Sequence, residues 1–433
     1  MTRRRALGAG AAVLAGALAL TACTPSEDTP DSTPSTNAEG NPTGTLEIVW
    51  PGTSDPETRM AEDFADAMAE QGITIEYNFL SWADIGQQLA VRIQAGDPPD
   101  LTMTQDVVDL VRMDGLLPLD DVFDATWTED DFRPGSLDFS RVDGSLYSIP
   151  YAAQAFDLVI NETLLTEAGY AVEDLRTWDD VIAAAEAMTG DGTYGFGYPL
   201  QNPRFAFRGA LTAAYANGLW PGDSSPEAAD RWVEVLEHVQ QLNELSPPAA
   251  AAWSYPEMFQ SYANGEVGMI PAGTFFSANV YELNPEIIAS SRQIAYPAGP
   301  SGEQLAPVSN AGFAIFKDSP NIELAEYVLQ QLVSPEWSSR LTTAVNTPAL
   351  SEVAPEDLAG AAADIYPDAA EGHVQQMIDQ ATLIDEAGVP LQPIVGQATI
   401  ETEFQAILLE FLDGSLSAAD AQQQIAAAIE DAQ

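Results

Sequence analysis

Residues 45–104 repeat one pattern, strand, helix, strand, helix, strand, and this repetition restricts the chain to an open α/β sheet more than any other feature does. The run TLEIVW, residues 45–50, reads as a first strand, followed by a turn through Pro51-Gly52-Thr53-Ser54-Asp55. Asp55 can cap a helix with Pro56 at its first position and Glu57 in its first turn, while Met60, Phe64 and Met68 recur every four residues along one face. Gly72 ends that helix, and Ile73, Ile75, Tyr77 and Phe79 alternate with Thr74, Glu76 and Asn78 as a half-buried strand. A second helix from about Trp82 to Ala95 carries Ile85, Leu89 and Ile93 on one side and stops at Gly96-Asp97-Pro98-Pro99, after which Asp100 to Met103 resumes a strand. Such a sheet is largely parallel, and its ligands lie beyond the carboxyl ends of its strands. Trp50, Thr53, Ser54 and Asp55, and then Thr104, Gln105 and Asp106, occupy those ends.

The stretch Gly144 to Asn161, GSLYSIPYAAQAFDLVIN, divides this rhythm from a helix-rich segment and has the character of a crossover between two lobes. Pro150 lacks a donor and is expected to stop an apolar strand there. Gln154 lies between Ala153 and Ala155 in an apolar run, so it either satisfies backbone at a strand end or points into a wet cleft. A chain of 433 residues exceeds one ordinary core, which agrees with two domains meeting at a waist.

The balance of 66 acidic against 15 basic residues gives a net charge of −51, and Lys317 is the only lysine. That field repels phosphate backbones and anionic lipid surfaces, which excludes nucleic acid as a partner. The acids are scattered along the chain and read as a solvated coat. His238 and His373 are the only histidines, each expected at the surface or half-buried, and Cys23 is the only cysteine. No histidine- or cysteine-based metal site, no calcium-binding loop and no cofactor is expected.

Arg3-Arg4-Arg5, an apolar run from Ala6 to Leu20 and then Leu20-Thr21-Ala22-Cys23 make a signal peptide over residues 1–22. The ending resembles the lipobox of bacterial lipoproteins, in which the cysteine is acylated and becomes the new N-terminus. Cleavage removes three arginines and takes the net charge from −51 to −54. Both a twin-arginine and a general secretory route fit the leader. Residues 23–44 are then an acylated cysteine and a flexible tether, since beyond Cys23 the segment has no apolar side chain larger than alanine. The lipid anchor on Cys23 would hold the folded body at the outer face of the cell membrane.

Further along, Asn161 and Thr177 read as helix caps, and a helix beginning at Ser225-Pro226-Glu227 presents Trp232, Leu236, Val239 and Leu242 inward. Aromatic-rich loops lie between helices, at Tyr194 to Pro199, at Asn202-Pro203-Arg204-Phe205 and at Gly273-Thr274-Phe275-Phe276. Rings beside Gly, Pro, Asn and Arg are placed to stack on the apolar face of a sugar while amides and guanidinium groups bond its hydroxyls. Tyr151, beside Gln154, and Asn310 complete the candidate ligand residues. No serine nucleophile elbow, histidine metal pair or phosphate loop is present, and the acids are too numerous for any pair to mark a glycosidase.

Several segments in order resemble the extracellular solute-binding proteins of bacterial ABC importers, the family that includes maltose-binding protein. They are QQLAVRIQAGDPPDL at residues 87–101, Tyr147-Ser148-Ile149-Pro150 with Ile160-Asn161, and Ala168-Gly169 with Thr177-Trp178-Asp179-Asp180. Tyr262 to Met269, Asn310 to Ile315 and Ser319 to Leu329 continue the series, so that the resemblance covers about residues 45–433. It implies an α/β, two-lobed periplasmic-binding-protein-like fold, each lobe a mainly parallel sheet flanked by helices, with a ligand cleft between the lobes. Lobe one would take residues 45–152 plus 310–346, and lobe two 153–309 plus 347–433. By the same likeness Gln154 falls on a sugar-binding glutamate, Asn202-Pro203-Arg204 on a Glu-Pro-Tyr ligand segment, and Phe275 on a stacking tryptophan. Thr53, Ser54 and Asp55 match the first polar loop by position. These departures are compatible with a carbohydrate and count against maltose itself.

The expected function is capture of a mono- or oligosaccharide by a monomer that delivers it to ABC permease transmembrane subunits, without enzymatic activity. A cationic or polar non-sugar solute is the competing ligand, and a secreted glycosidase the competing class.

Overall fold

The computed structural model describes residues 35–432 apart from Thr53, Ser54, Ala83, Asp106, Pro221, Gly222 and Ser224. The expected signal peptide, Cys23, most of the expected tether and the candidate ligands Thr53, Ser54 and Asp106 therefore lie outside the described residues, and Asp55 is described only as the first residue of its helix. Residues 35–43 depart from the tether expected up to residue 44, because Ser35–Thr36 pairs with Pro42–Thr43 around a turn tied by the side-chain oxygen of Asn37.

Strand β1 (Pro42–Pro51) buries Leu46, Ile48 and Val49 completely, as a strand covered on both faces must. Helix α1 (Asp55–Glu70) turns Met60, Phe64 and Met68 onto the sheet, and Gly72, at φ +85°, reverses the chain into β2 (Ile73–Leu80). β2 lies parallel to β1 along its whole length, from Gly44 opposite Ile73 to Pro51 opposite Leu80. Helix α2 (Ile85–Ala95) ends at Gly96 in the left-handed conformation, whose amide and that of Asp97 close the last turn. β3 (Leu101–Thr104) then pairs parallel with the other edge of β1.

β4 (Ile149–Ala155) leads directly into β5 (Asp157–Asn161), which belongs to a second sheet. Pro150 does not stop β4. It sits where the ladder with the returning strand slips between Ala311 and Gly312, and at such a bulge no donor is required of it. Beyond β5, Asn161 caps the next helix by accepting from the amides of Thr163 and Leu164, and Thr177 with Asp180 forms a capping box at the start of α3 (Trp178–Met188). β6 (Tyr194–Phe196), α4 (Pro203–Ala216), α5 (Pro226–Glu244), α6 (Tyr255–Ala263), β7 (Val267–Ala272) and β8 (Ser291–Ile294) complete the second lobe's first pass.

The chain returns through β9 (Ala306–Ile315), which is buried throughout, then α7 (Ile322–Leu332) and α8 (Pro335–Val345), whose Trp337 meets Phe64 of α1 edge to face at 5.0 Å. It crosses again at β10 (Thr347–Pro348) and runs through α9 (Ala370–Ala387), β11 (Gly388–Pro390), α10 (Gln397–Leu412) and α11 (Ala418–Ala432). The large sheet has the order β2-β1-β3-β9-β4-β10, with β11 beside the start of β9, and the second has the order β8-β5-β7-β6.

Both sheets are mixed where mainly parallel ones were expected. β9 is antiparallel to β3 and β4, and β5 is antiparallel to β7 and β8. The reason is the two-lobed path: strands that leave one lobe and strands that come back must run in opposite directions. At this joint Asp157 is fully buried, and burial pushes its carboxyl well above the usual range while Gln380 donates to it at 3.3 Å.

Both histidines are deeper than expected. His238 is 2% exposed, stacked on Trp178 at 4.2 Å and bonded to the Tyr296 hydroxyl at 3.0 Å, and His373 donates to the Thr343 carbonyl at 2.7 Å. Among the described residues no helix is long and apolar enough to cross a membrane, and no group of three or more His, Cys, Asp or Glu is arranged to hold a metal ion.

Candidate ligand-binding site

A line of side-chain hydrogen bonds runs from the second lobe through the first to the joint. Arg204, in the first turn of α4, donates to the Gln105 carbonyl oxygen just beyond β3. Gln105 in turn donates to Gln154 on β4, and Gln154 donates to Asn346, which caps α8 where the chain crosses. Asn346 also bonds the phenol of Tyr151. Every link in this line joins two side chains, so each can be exchanged for a ligand hydroxyl without disturbing backbone.

Beside the line stands an aromatic wall. Period-two alternation puts Phe156 on the same side of the chain as Gln154, and its ring meets Phe205 at 5.4 Å and Phe275 at 5.5 Å. Phe205 stacks on Tyr255, with centroids 5.4 Å apart and planes 19° apart, and Phe259 closes the cluster from behind. Phe156, Phe205 and Phe275 are half-buried and Tyr255 is exposed, while Phe259 is buried in the core. The rings form an apolar face next to the polar line.

The lobes also touch at a second point. The Gly396 amide donates to Asp109 at 3.0 Å, and Val395 packs among Val107, Val108 and their neighbours. The space enclosed there by Gln105, Phe139, Ile394 and Gln397 is about 10 Å³, room for about one water. The two lobes are therefore drawn together around Gln105.

Of the candidate residues named from sequence, Gln105, Gln154, Arg204, Phe205 and Phe275 meet in this region. Asn202 lies beside them, but its side-chain oxygen accepts from the Phe205 amide at 3.0 Å and caps α4. Three candidates are inside the protein. Trp50 is 2% exposed, against Tyr77 and Phe313, and Tyr151 packs on Phe313 with its hydroxyl toward Met103. Asn310 is buried too, and its amide donates to the Ser136 carbonyl and the Ser140 hydroxyl. Phe156, Tyr255, Asn346, Asp109 and Gly396 were not among the sequence candidates. Phe156 could have been found by alternation from Gln154, whereas Asn346 and Gly396 carry no local signal.

The family model described as bacterial extracellular solute-binding protein matches residues 51–338. A binding protein of Brucella abortus (strain 2308) is 26% identical over 292 residues, which is 63% of this chain and 67% of that one. Among solved structures, an ABC transporter solute-binding protein from Thermotoga lettingae TMO, bound with α-D-tagatose, superposes with a TM-score of 0.74 at 19% identity, covering 90% of this chain and 99% of the other. The GacH receptor of Streptomyces glaucescens, solved unliganded and with acarbose, gives a TM-score of 0.71 at 18% identity over 90% of this chain and 100% of its own.

Proposed function

The chain belongs to the family of bacterial extracellular solute-binding proteins, and from that premise we propose that it captures a neutral mono- or oligosaccharide between its lobes and delivers it to the permease of an ABC importer. The observation that carries this reading is the exchangeable line Arg204-Gln105-Gln154-Asn346 standing beside the Phe156-Phe205-Phe275 wall. Amides and a guanidinium suit hydroxyl groups, which both donate and accept. The line itself is made of amides and a guanidinium with no carboxylate, so it offers a cationic solute no anionic partner. The tagatose and acarbose complexes of the two structural neighbours support the same ligand class.

In this mechanism the ligand replaces side-chain to side-chain bonds with bonds to itself. It gains affinity only in the closed arrangement, where both lobes reach it, and that differential affinity drives closure. Lobe one would comprise residues 45–152 plus 310–346 and lobe two 153–309 plus 347–433, with a monomer held to the membrane by an acylated Cys23.

The test is a thermal-shift panel of sugars, amines and osmolytes on the purified protein. A ligand at about a hundred times its Kd adds about 2.7 kcal/mol to native stability, a readily measured rise. One class of sugar is expected to raise the melting temperature, and Gln154→Ala to reduce that rise. A rise with an amine that fades in salt, and none with any sugar, would overturn the reading.

A further inference from the structure

A cavity of about 520 Å³ lies at the far end of α4 from the cleft. That volume falls within the usual range for small-ligand sites, about 300–1,000 Å³. Arg204 at the cleft and Tyr215 in the cavity wall are on the same helix, and eleven residues at helical rise separate them by about 16 Å. The lining includes Tyr215, Trp220, Ser301, Glu303, Leu305 and Gln392, none of which belongs to the Gln105 line or the aromatic wall.

The walls are firmly built. Asn217 is fully buried, with its side-chain oxygen accepting from the Ser301 amide at 2.9 Å and its amide donating to Glu234 at 2.7 Å. Gly302 is pressed so close to the end of α4 that a Cβ there would come within 2.0 Å of the Ala216 carbonyl oxygen. Tyr215 accepts from the Gln392 amide at 3.0 Å, which ties the opposite wall to the same helix end. Against this frame the Trp220 indole is 47% exposed, a large flat apolar surface left in contact with water.

The chemistry around that ring is specific in kind. Leu305 and Val389 are apolar, while Ser301, Glu303 and Gln392 present a hydroxyl, a carboxylate and an amide. Among the described residues none of the lining is cationic, and Arg231 behind it donates to the Gly218 carbonyl. The Glu303 carboxylate in the lining disfavours anionic ligands. One flat ring with hydroxyl-bonding groups around it matches a neutral sugar ring.

We propose that this cavity is a second carbohydrate site, in which a neutral sugar ring stacks on Trp220 and its hydroxyls bond Ser301, Glu303 and Gln392. It is independent of the ligand that the cleft takes. Isothermal titration of the purified whole chain with malto-, cello- and xylo-oligosaccharides tests it against Trp220→Ala, Gln392→Ala and Gln154→Ala. Trp220→Ala is expected to weaken one binding event by about tenfold or more, with a smaller loss in Gln392→Ala, while Gln154→Ala leaves that event unchanged. Trp220→Phe keeps a stacking face and should retain it, which separates loss of stacking from loss of folding. The proposal fails if Trp220→Ala titrates like the parent protein with all three sugar series, or if every binding event is lost in Gln154→Ala. Failure of the cleft reading has a different signature, an event sensitive to Trp220 alone.

Discussion

Arg204 and Gln105 join the two lobes through one side-chain hydrogen bond, and Gln105 passes the connection on to Gln154 at the joint. The guanidinium is half-buried on a helix of the second lobe, whereas Gln105 ends a strand of the first. A ligand that bonds both side chains would therefore bridge the two lobes. Arg204→Ala and Gln105→Ala are each expected to weaken sugar binding by about tenfold or more, and the double variant to lose less than the two effects combined, as for residues that share one network. Titration calorimetry on the four proteins measures the coupling. Fully additive losses would show that the two side chains act separately.

The aromatic wall makes a separable contribution. Removing the Phe156 ring takes away its contacts with both Phe205 and Phe275 while leaving the line of amides in place. Phe156→Ala and Phe275→Ala are each expected to cost about 1 kcal/mol or more of binding through lost stacking and apolar area, roughly a fivefold change in Kd. Replacing Phe275 by Trp should preserve affinity. Unchanged affinity in Phe156→Ala, measured by the same titration, would take the wall out of the site.

Asn310 supplies the opposite case, a polar residue near the joint that acts on stability. Its amide satisfies the Ser136 carbonyl and the Ser140 hydroxyl inside the first lobe, and Asn310→Ala leaves both without that donor. Such a loss costs about 1–3 kcal/mol. The expected outcome is a lower denaturation midpoint with sugar affinity kept. Gln154→Ala should do the reverse, and chemical denaturation beside calorimetry distinguishes the two.

These contrasts show which parts of the molecule the sequence makes legible. The first three strands and two helices follow from local signals, because Met60, Phe64, Met68 and Leu89 mark their faces and Gly72 and Gly96 mark their ends. Gln154 and Phe205 were readable as candidates because each stands against the grain of its surroundings, a polar group among alanines and a ring beside Asn, Pro and Arg. Trp50 and Tyr151 were not separable from ligand-facing aromatics, since what buries them is Phe313, on a strand that joins the sheet only after the chain has made its first pass through the second lobe. Asn346 lies 192 residues from Gln154, and Gly396 287 residues from Asp109, so these contacts exist only once the chain has crossed between lobes. The mixed direction of the strands has the same origin.

The buried histidines give the fold a definite response to acid. Burial pushes His238 down to about 3 and His373 down to about 4, from an ordinary value of 6.5, the bond to the Thr343 carbonyl opposing the shift in His373. As pH falls below 6.5 the unfolded chain takes up these protons and the folded protein does not. The stability contributed by the neutral rings is thus complete above that value. It is lost as pH falls toward the folded values, at up to about 1.4 kcal/mol per pH unit for each ring. Asp157 acts with the opposite sign: its raised carboxyl pKa favours the folded state as the solution becomes acid, so a melting curve alone would mix the two. Imidazole NMR separates them. Both rings are expected to remain neutral in the folded protein when the pH is lowered from about 8 to about 5. A ring that titrates near its ordinary value would place that histidine in contact with solvent. If both hold, the difference in midpoint between the parent and His238→Gln over the same range gives the contribution of the ring packed between Trp178 and Tyr296.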